Sequence, residues 1–116
     1  MLSAAIQRGE CIAAFTDAGA HGYVVLTHNF FENGFVALVA VSPSVRRRGI
    51  GQRLLAAAEA HCKTQKLFAS TNASNIEAQK LLARAGFVPS GRIDNLDEGD
   101  PELVYFKHRA ALPTEL

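Results

Sequence analysis

The apolar positions of the chain fall into runs of two different periods, and the points where the period changes divide it into elements. Residues 1–8 suit a short helix ended by Gly9. Glu10–Thr16 and Gly22–Phe31 are rich in β-branched, aromatic and small apolar residues, with a turn at Asp17-Ala18-Gly19 between them, and read as a hairpin. Asn33-Gly34 predicts a second tight turn before Phe35–Val41, which is apolar at odd and even positions alike. A strand without a polar face is buried on both sides, so helices are expected to cover this sheet. Beyond Ser42-Pro43 the period changes to that of a helix, with apolar residues at 50, 54, 55, 58 and 62. Leu67–Thr71 is compatible with a strand. Ser74-Asn75-Ile76-Glu77 matches a capping box, opening a helix whose apolar face is Ala78, Leu81, Leu82 and Ala85 and whose end is marked by Gly86. A strand from Phe87, an acidic loop over 94–102 and a last strand at Leu103–Phe106 complete the pattern. The expected order is β-β-β-α-β-α-β-β after the short helix, a mixed α/β sheet with a βαβ passage in its middle.

At 116 residues the chain has the length of a single domain, and 48% hydrophobic with 20% charged residues is a globular balance. Phe35–Val41 is the longest strongly apolar stretch, far short of the roughly 20 residues of a membrane span. With no charged-then-apolar leader pattern, a cytoplasmic protein is expected. Cys11 and Cys62 stand 51 positions apart, and neither they nor the histidines at 21, 28, 61 and 108 show metal-ligand spacing, so no metal is expected. Net charge is +1, but it is unevenly placed. Arg46, Arg47, Arg48 and Arg53 cluster in one segment, while Asp94, Asp97, Glu98, Asp100 and Glu102 cluster in another. One segment suits an anion and the other a cation.

The sharpest chemical signal is Arg46-Arg47-Arg48-Gly49-Ile50-Gly51, which joins an apolar strand to a helix. The first turn of a helix offers N–H groups without intrahelical partners and a partial positive charge, glycine lets phosphate oxygens approach that backbone, and arginine adds charge-assisted hydrogen bonds. It is neither a Walker A loop nor a dinucleotide fingerprint, since Leu54 occupies the third glycine position of the latter. A solvated basic turn is the alternative reading of the motif alone.

A strand, then R-x-x-G-x-G, a helix, a strand, and N-x-x-A-x-x-L before Gly86-Phe87 resembles the GNAT superfamily of acyl-CoA-dependent N-acyltransferases, over about residues 1–108. The resemblance implies an acetyltransferase that moves an acetyl group from acetyl-CoA directly to a primary amine, on a small molecule or a peptide. It places the pyrophosphate on the amides of Arg47, Arg48, Gly49, Ile50, Gly51 and Gln52, with Arg46 opening the motif. It also implies a splayed central strand whose Val39 and Val41 present backbone groups to the pantetheine arm, and an Asn75 that bonds that arm near the thioester. Helix-start geometry alone is the other reading of Asn75.

The pattern departs from the family at two places. Many members carry a tyrosine just after the N-x-x-A-x-x-L leucine to protonate the departing thiolate; here that residue is Leu82, which leaves Tyr105 or water as the acid. Glu32 is the first candidate for the base and His28 the second, with an exposed turn residue as the alternative for Glu32. The family also begins with a strand and one or two helices for which this chain has room only for a fragment. Two other classes of function remain: a non-catalytic acyl-CoA-binding module, and a nucleic-acid binder through the arginine run. The near-zero net charge and the lack of aromatics interleaved with that run argue against the latter.

An uncovered first strand presents unpaired N–H and C=O groups, and Cys11–Phe15, beside the apolar Met1, Leu2, Ala5 and Ile6, carries little charge to defend it. A symmetric homodimer through the N-terminal third is therefore expected. Light scattering at micromolar concentration checks this: a mass near twice 12.5 kDa supports it, and a clean 12.5 kDa species counts against it.

Overall fold

The computed structural model describes residues 11–16, 19–43 and 49–109, with side chains described from residue 21 onward. The expected short helix over 1–8, the Asp17-Ala18 turn and Arg46, Arg47 and Arg48 lie outside the described residues. The elements run β1 (Cys11–Thr16), β2 (Gly19–Phe30), β3 (Asn33–Val41), α1 (Ile50–His61), β4 (Lys66–Asn72), α2 (Ile76–Arg84), β5 (Val88–Ile93) and β6 (Glu102–His108). They form a six-stranded sheet in the order β1-β2-β3-β4-β6-β5. Only the β3–β4 pair is parallel, as the βαβ passage requires. The mixed α/β architecture agrees with the sequence pattern, and among the described strands β1 stands at the edge of the sheet.

Helix α1 buries Ile50, Leu54, Leu55 and Ala58, and Cys62 beyond its end is buried too, so the helical stripe predicted from spacing faces the core. Those side chains pack with Val24, Leu26, Val36, Leu67, Ala69, Leu82, Phe87 and Tyr105. Helix α2 lies beside α1 on the same face: Gln52 Nε2 donates to the Leu81 carbonyl at 3.1 Å, and a Cβ on Gly51 would stand 3.0 Å from Leu81. Lys107 of β6 locks both helices to the sheet, its ammonium donating to Glu59 Oε1 at 2.7 Å and to the Ala85 carbonyl at 2.8 Å. Gly86 has the left-handed φ of 93° that ends α2, with the Lys107 stem lying across it.

Two local expectations are corrected. The β2–β3 turn is centred on Phe31 and Glu32, with φ of 48° and 66°, and not on Asn33-Gly34; Phe30 pairs with Asn33. The reason is that Gly34 is needed inside the strand, where its N–H donates to Thr64 Oγ1 at 2.9 Å and a Cβ would fall 2.5 Å from Cys62 Sγ. Second, the N-cap of α2 is Asn75, whose Oδ1 accepts from the Ala78 N–H at 3.1 Å, while Ser74 is drawn to Asp100. The sheet is covered by helices as expected, with α1 and α2 packed on one face of it. The face opposite α1 and α2 carries an aromatic row: Phe35 pairs with Phe68, and Phe68 with Phe106, across three strands.

A β-bulge shapes β3. Val36 pairs with Leu26 and Leu38 with Val25, so Ala37 is the extra residue. It shifts the alternation by one, and Val36, Val39 and Val41 therefore all lie on the helix face, the first in the core and the others packed against it. The close quarters at Gly34 give a stability test. Gly34→Ala forces its methyl against Cys62 and Leu67 and is expected to lower unfolding free energy by about 1–3 kcal/mol, measured by urea denaturation.

Candidate functional site

The β3–β4 ladder contains three pairs, Gly34 with Leu67, Phe35 with Phe68 and Val36 with Ala69. It stops there, although β3 continues to Val41 along β2 and β4 continues to Asn72 along β6. The two strands part at the bulge, and a cleft of about 790 Å³ opens on the helix face, within the range of roughly 300–1,000 Å³ common for small-molecule sites. Strand β3 lines it with Val39 and Val41, followed by Pro43. The start of α1 lines it with Gly49, Ile50, Gly51 and Gln52, and α2 with Asn75, Glu77, Ala78, Leu81 and Arg84.

Gly49 is the N-cap of α1, with a left-handed φ of 77° and no side-chain capping bond. Among the described residues, nothing stands within 4 Å of where its Cβ would be. The first N–H groups of a helix have no partner within it, so this backbone brings donors and a positive dipole end to the cleft. Across the cleft, Asn75, Ala78, Leu81 and Arg84 form a row at three-residue spacing along one side of α2. Two oppositely charged residues, Arg84 and Glu77, stand exposed on its rim.

Of the residues singled out from the sequence, Val39, Val41, Gly49, Ile50, Gly51, Gln52 and Asn75 are thus brought to one cleft. The three side-chain candidates for proton transfer, Glu32, His28 and Tyr105, do not line it. Glu32 is exposed in the β2–β3 turn, at the opposite end of β3 from Val39 and Val41, and Tyr105 is buried in the core. His28 Nε2 accepts the Lys63 N–H at 3.0 Å, tying β2 to the end of α1. Leu82 is buried beside α1, whereas its neighbour Leu81 faces the cleft. Arg84 and Glu77 were missed, yet the three-residue rhythm of Asn75, Ala78 and Leu81 continues directly to Arg84. Among the described residues there is no group of His, Cys, Asp and Glu able to hold a metal ion, and no helix long and apolar enough to cross a membrane.

The acidic loop is more than a solvated run. Asp100 accepts from the Ser74 N–H at 2.9 Å and from the Ser74 hydroxyl at 2.7 Å, and Asp97 accepts from Asn72 Nδ2 at 2.8 Å. These bonds hold the β4–α2 connection, and through it Asn75, against the loop.

A central strand that leaves its parallel neighbour beside a glycine-rich helix start is a specific arrangement, and comparison with known proteins identifies it. The acetyltransferase (GNAT) family model matches residues 3–87, and the chain belongs to that family. A GNAT-family acetyltransferase from Bacillus cereus ATCC 10987 superposes with a TM-score of 0.90 at 39% identity, over 95% of this chain and 78% of that one. A protein from Bacillus anthracis assigned as a streptothricin acetyltransferase, solved in complex with acetyl coenzyme A, shares the fold with a TM-score of 0.78 at 23% identity, over 84% of this chain and 61% of that one. Nourseothricin acetyltransferase shares it with a TM-score of 0.79 at 22% identity, over 85% and 64%. No curated protein matches the sequence.

The clamp at Asp100 is testable. Asp100→Ala leaves the Ser74 N–H and hydroxyl without their acceptor, and the variant is expected to lose about 1–2 kcal/mol of stability with faster amide exchange at the start of α2, read by hydrogen exchange.

Proposed function

We propose that the protein is an N-acetyltransferase that takes the acetyl group of acetyl-CoA and passes it directly to a primary amine. The observation that carries this reading is the conjunction of the parted β3 and the uncapped start of α1 in one cleft. The dimensions and donors fit the cosubstrate. The pyrophosphate would lie on the amides of Gly49–Gln52, where the missing side chain of Gly49 leaves room, with Arg46, Arg47 and Arg48 adjoining in sequence. The extended arm would follow β3 beyond Val36, past the last β3–β4 pair and along Val39 and Val41. Asn75 keeps its side-chain N–H₂ for the same arm, because only its oxygen is used in capping α2. Arg84, at the far end of the α2 row, supplies a cation for a further phosphate.

The cosubstrate supplies an activated thioester; the neutral amine would attack its carbonyl carbon, the C–N bond forming as the C–S bond breaks, and the proton lost by nitrogen would pass, directly or through water, to the departing CoA thiolate. The protein's contribution is to hold both reactants in line and to stabilise the developing oxyanion through fixed donors, which together account for most of the rate in reactions of this kind. A thiol with a pKa near 8.5 departs without a strong acid. The reading therefore does not depend on Glu32 or Tyr105, neither of which lines the cleft.

Two measurements test it. In the first, release of free CoA thiol is followed with acetyl-CoA and a broad panel of primary amines; an amine-dependent rate above hydrolysis is expected, and its absence with intact CoA binding leaves a binding module. In the second, Gly49→Glu places a carboxylate where the phosphates would lie and is expected to weaken CoA binding by about tenfold or more, measured by calorimetry on the folded variant. Unchanged affinity removes the assignment.

A further inference from the structure

The sheet face opposite the helices has its own architecture, which the donor cleft does not use. Phe35, Phe68 and Phe106 stand side by side across β3, β4 and β6, and Phe30 reaches over them from β2. Phe30 stacks on Phe35 with centroids 4.7 Å apart and planes 16° from parallel, and lies 5.2 Å from Phe68; Phe68 is 5.5 Å from Phe106. All four rings are half-buried, and none belongs to the core cluster under α1 and α2. A contiguous apolar surface of this kind marks a binding site more often than a solvated face.

Its position relative to the split gives it a direction. Phe35 and Phe68 form the second of only three β3–β4 pairs, so the aromatic row ends within one residue of where the strands part. Past that point, on the same face of β4, come Ser70 and Asn72. Ser70 donates to Glu102 Oε2 at 2.6 Å, and Asn72 pairs with Glu102 in register. On the face away from the helices, the base of the split therefore carries aromatic rings, and the Glu102 carboxylate lies one strand beyond β4, within reach of Ser70.

We propose that this face is the acceptor site and that the acceptor is a small primary amine carried on an aromatic body, an arylalkylamine, whose ring lies on the Phe35–Phe68–Phe106 row and whose amino group is drawn toward Glu102. The proposal rests on the acetyl-CoA reading of the cleft, because a donor entering from the helix face delivers its acyl group at the split and leaves the opposite face for the amine. Charge and shape select the occupant together. An ammonium complements the carboxylate before it loses its proton, an aromatic ring complements the row, and a purely polar amine gains only the first of these.

The test compares phenethylamine with ethanolamine as acceptors for the full chain. Wild type is expected to favour phenethylamine by about tenfold or more in kcat/KM. Phe68→Ser is expected to bring that ratio near unity through KM, with the acetyl-CoA dissociation constant unchanged as proof of fold. Glu102→Gln is expected to raise KM for both amines. Equal use of the two amines by wild type, or a preference that survives Phe68→Ser, overturns the proposal. So does a wild-type dimer that Phe68→Ser converts to monomer, since a second copy then occupies the face. Failure of the underlying reading shows separately, as absence of acetyl-CoA binding to wild type. In that event phenethylamine titration followed by the ring-proton resonances of Phe68 still decides, with saturable shifts supporting the aromatic site and their absence overturning it.

Discussion

Two adjacent parallel strands share three residue pairs and then separate, and the usable surface of the protein is organised around that separation. Parallel strands in a continuous sheet satisfy each other's peptide groups along their whole length. Here β3 is held firmly at its start, where Gly34 fits against Cys62 and bonds to Thr64, and is bent at Ala37 by the extra residue of a bulge. The strand then follows β2 while β4 follows β6. The bulge also resets which side chains face the helices. Without it Leu38, and not Val39, would share a face with Val36, and the valines that line the cleft would be turned to the opposite side of the sheet.

The helices complete what the strands begin. Glycine at 51 lets the first turn of α1 come close to Leu81, so the uncapped N–H groups at Gly49–Gln52 and the Asn75–Arg84 row of α2 face one another across the gap. That spacing is maintained from outside the cleft. Gln52 bonds across to α2, Lys107 ties α1 and the end of α2 to β6, and Asp100 fixes the connection that leads into Asn75. Bonds of this type are each worth about 0.5–1.5 kcal/mol when neutral and somewhat more when charged, so they position as much as they stabilise.

Membership of the acetyltransferase (GNAT) family accounts for the fold and for acyl transfer as a class of chemistry, while the features that distinguish this chain lie in its particular residues. Leu82 is buried in the core, so the side of α2 that meets the cleft does so through Leu81 and Arg84. The aromatic row on the opposite face belongs to neither the core nor the cleft. It divides the molecule into a side that holds the cleft and a second side that carries the aromatic row.

Local rules in the sequence determined the element order, the apolar stripe of α1, the glycine that ends α2 and the arginine–glycine segment at a strand-to-helix joint. Each depends on residues within a turn or two of one another, where period, capping and the freedom of glycine act directly. The errors came where a local preference met a distant neighbour. Asn33-Gly34 has the composition of a tight turn, but Cys62 and Thr64, some thirty residues away, need Gly34 in the strand. Ser74-Asn75-Ile76-Glu77 has the composition of a capping box, but Asp100 takes Ser74 and the cap passes to Asn75. Where β3 leaves β4, which valines face the cleft, and that Arg84 stands there while Glu32 does not, were decided by tertiary structure alone. Pairing register and strand bending are set by contacts between elements far apart in the chain, and no window of the sequence contains both partners.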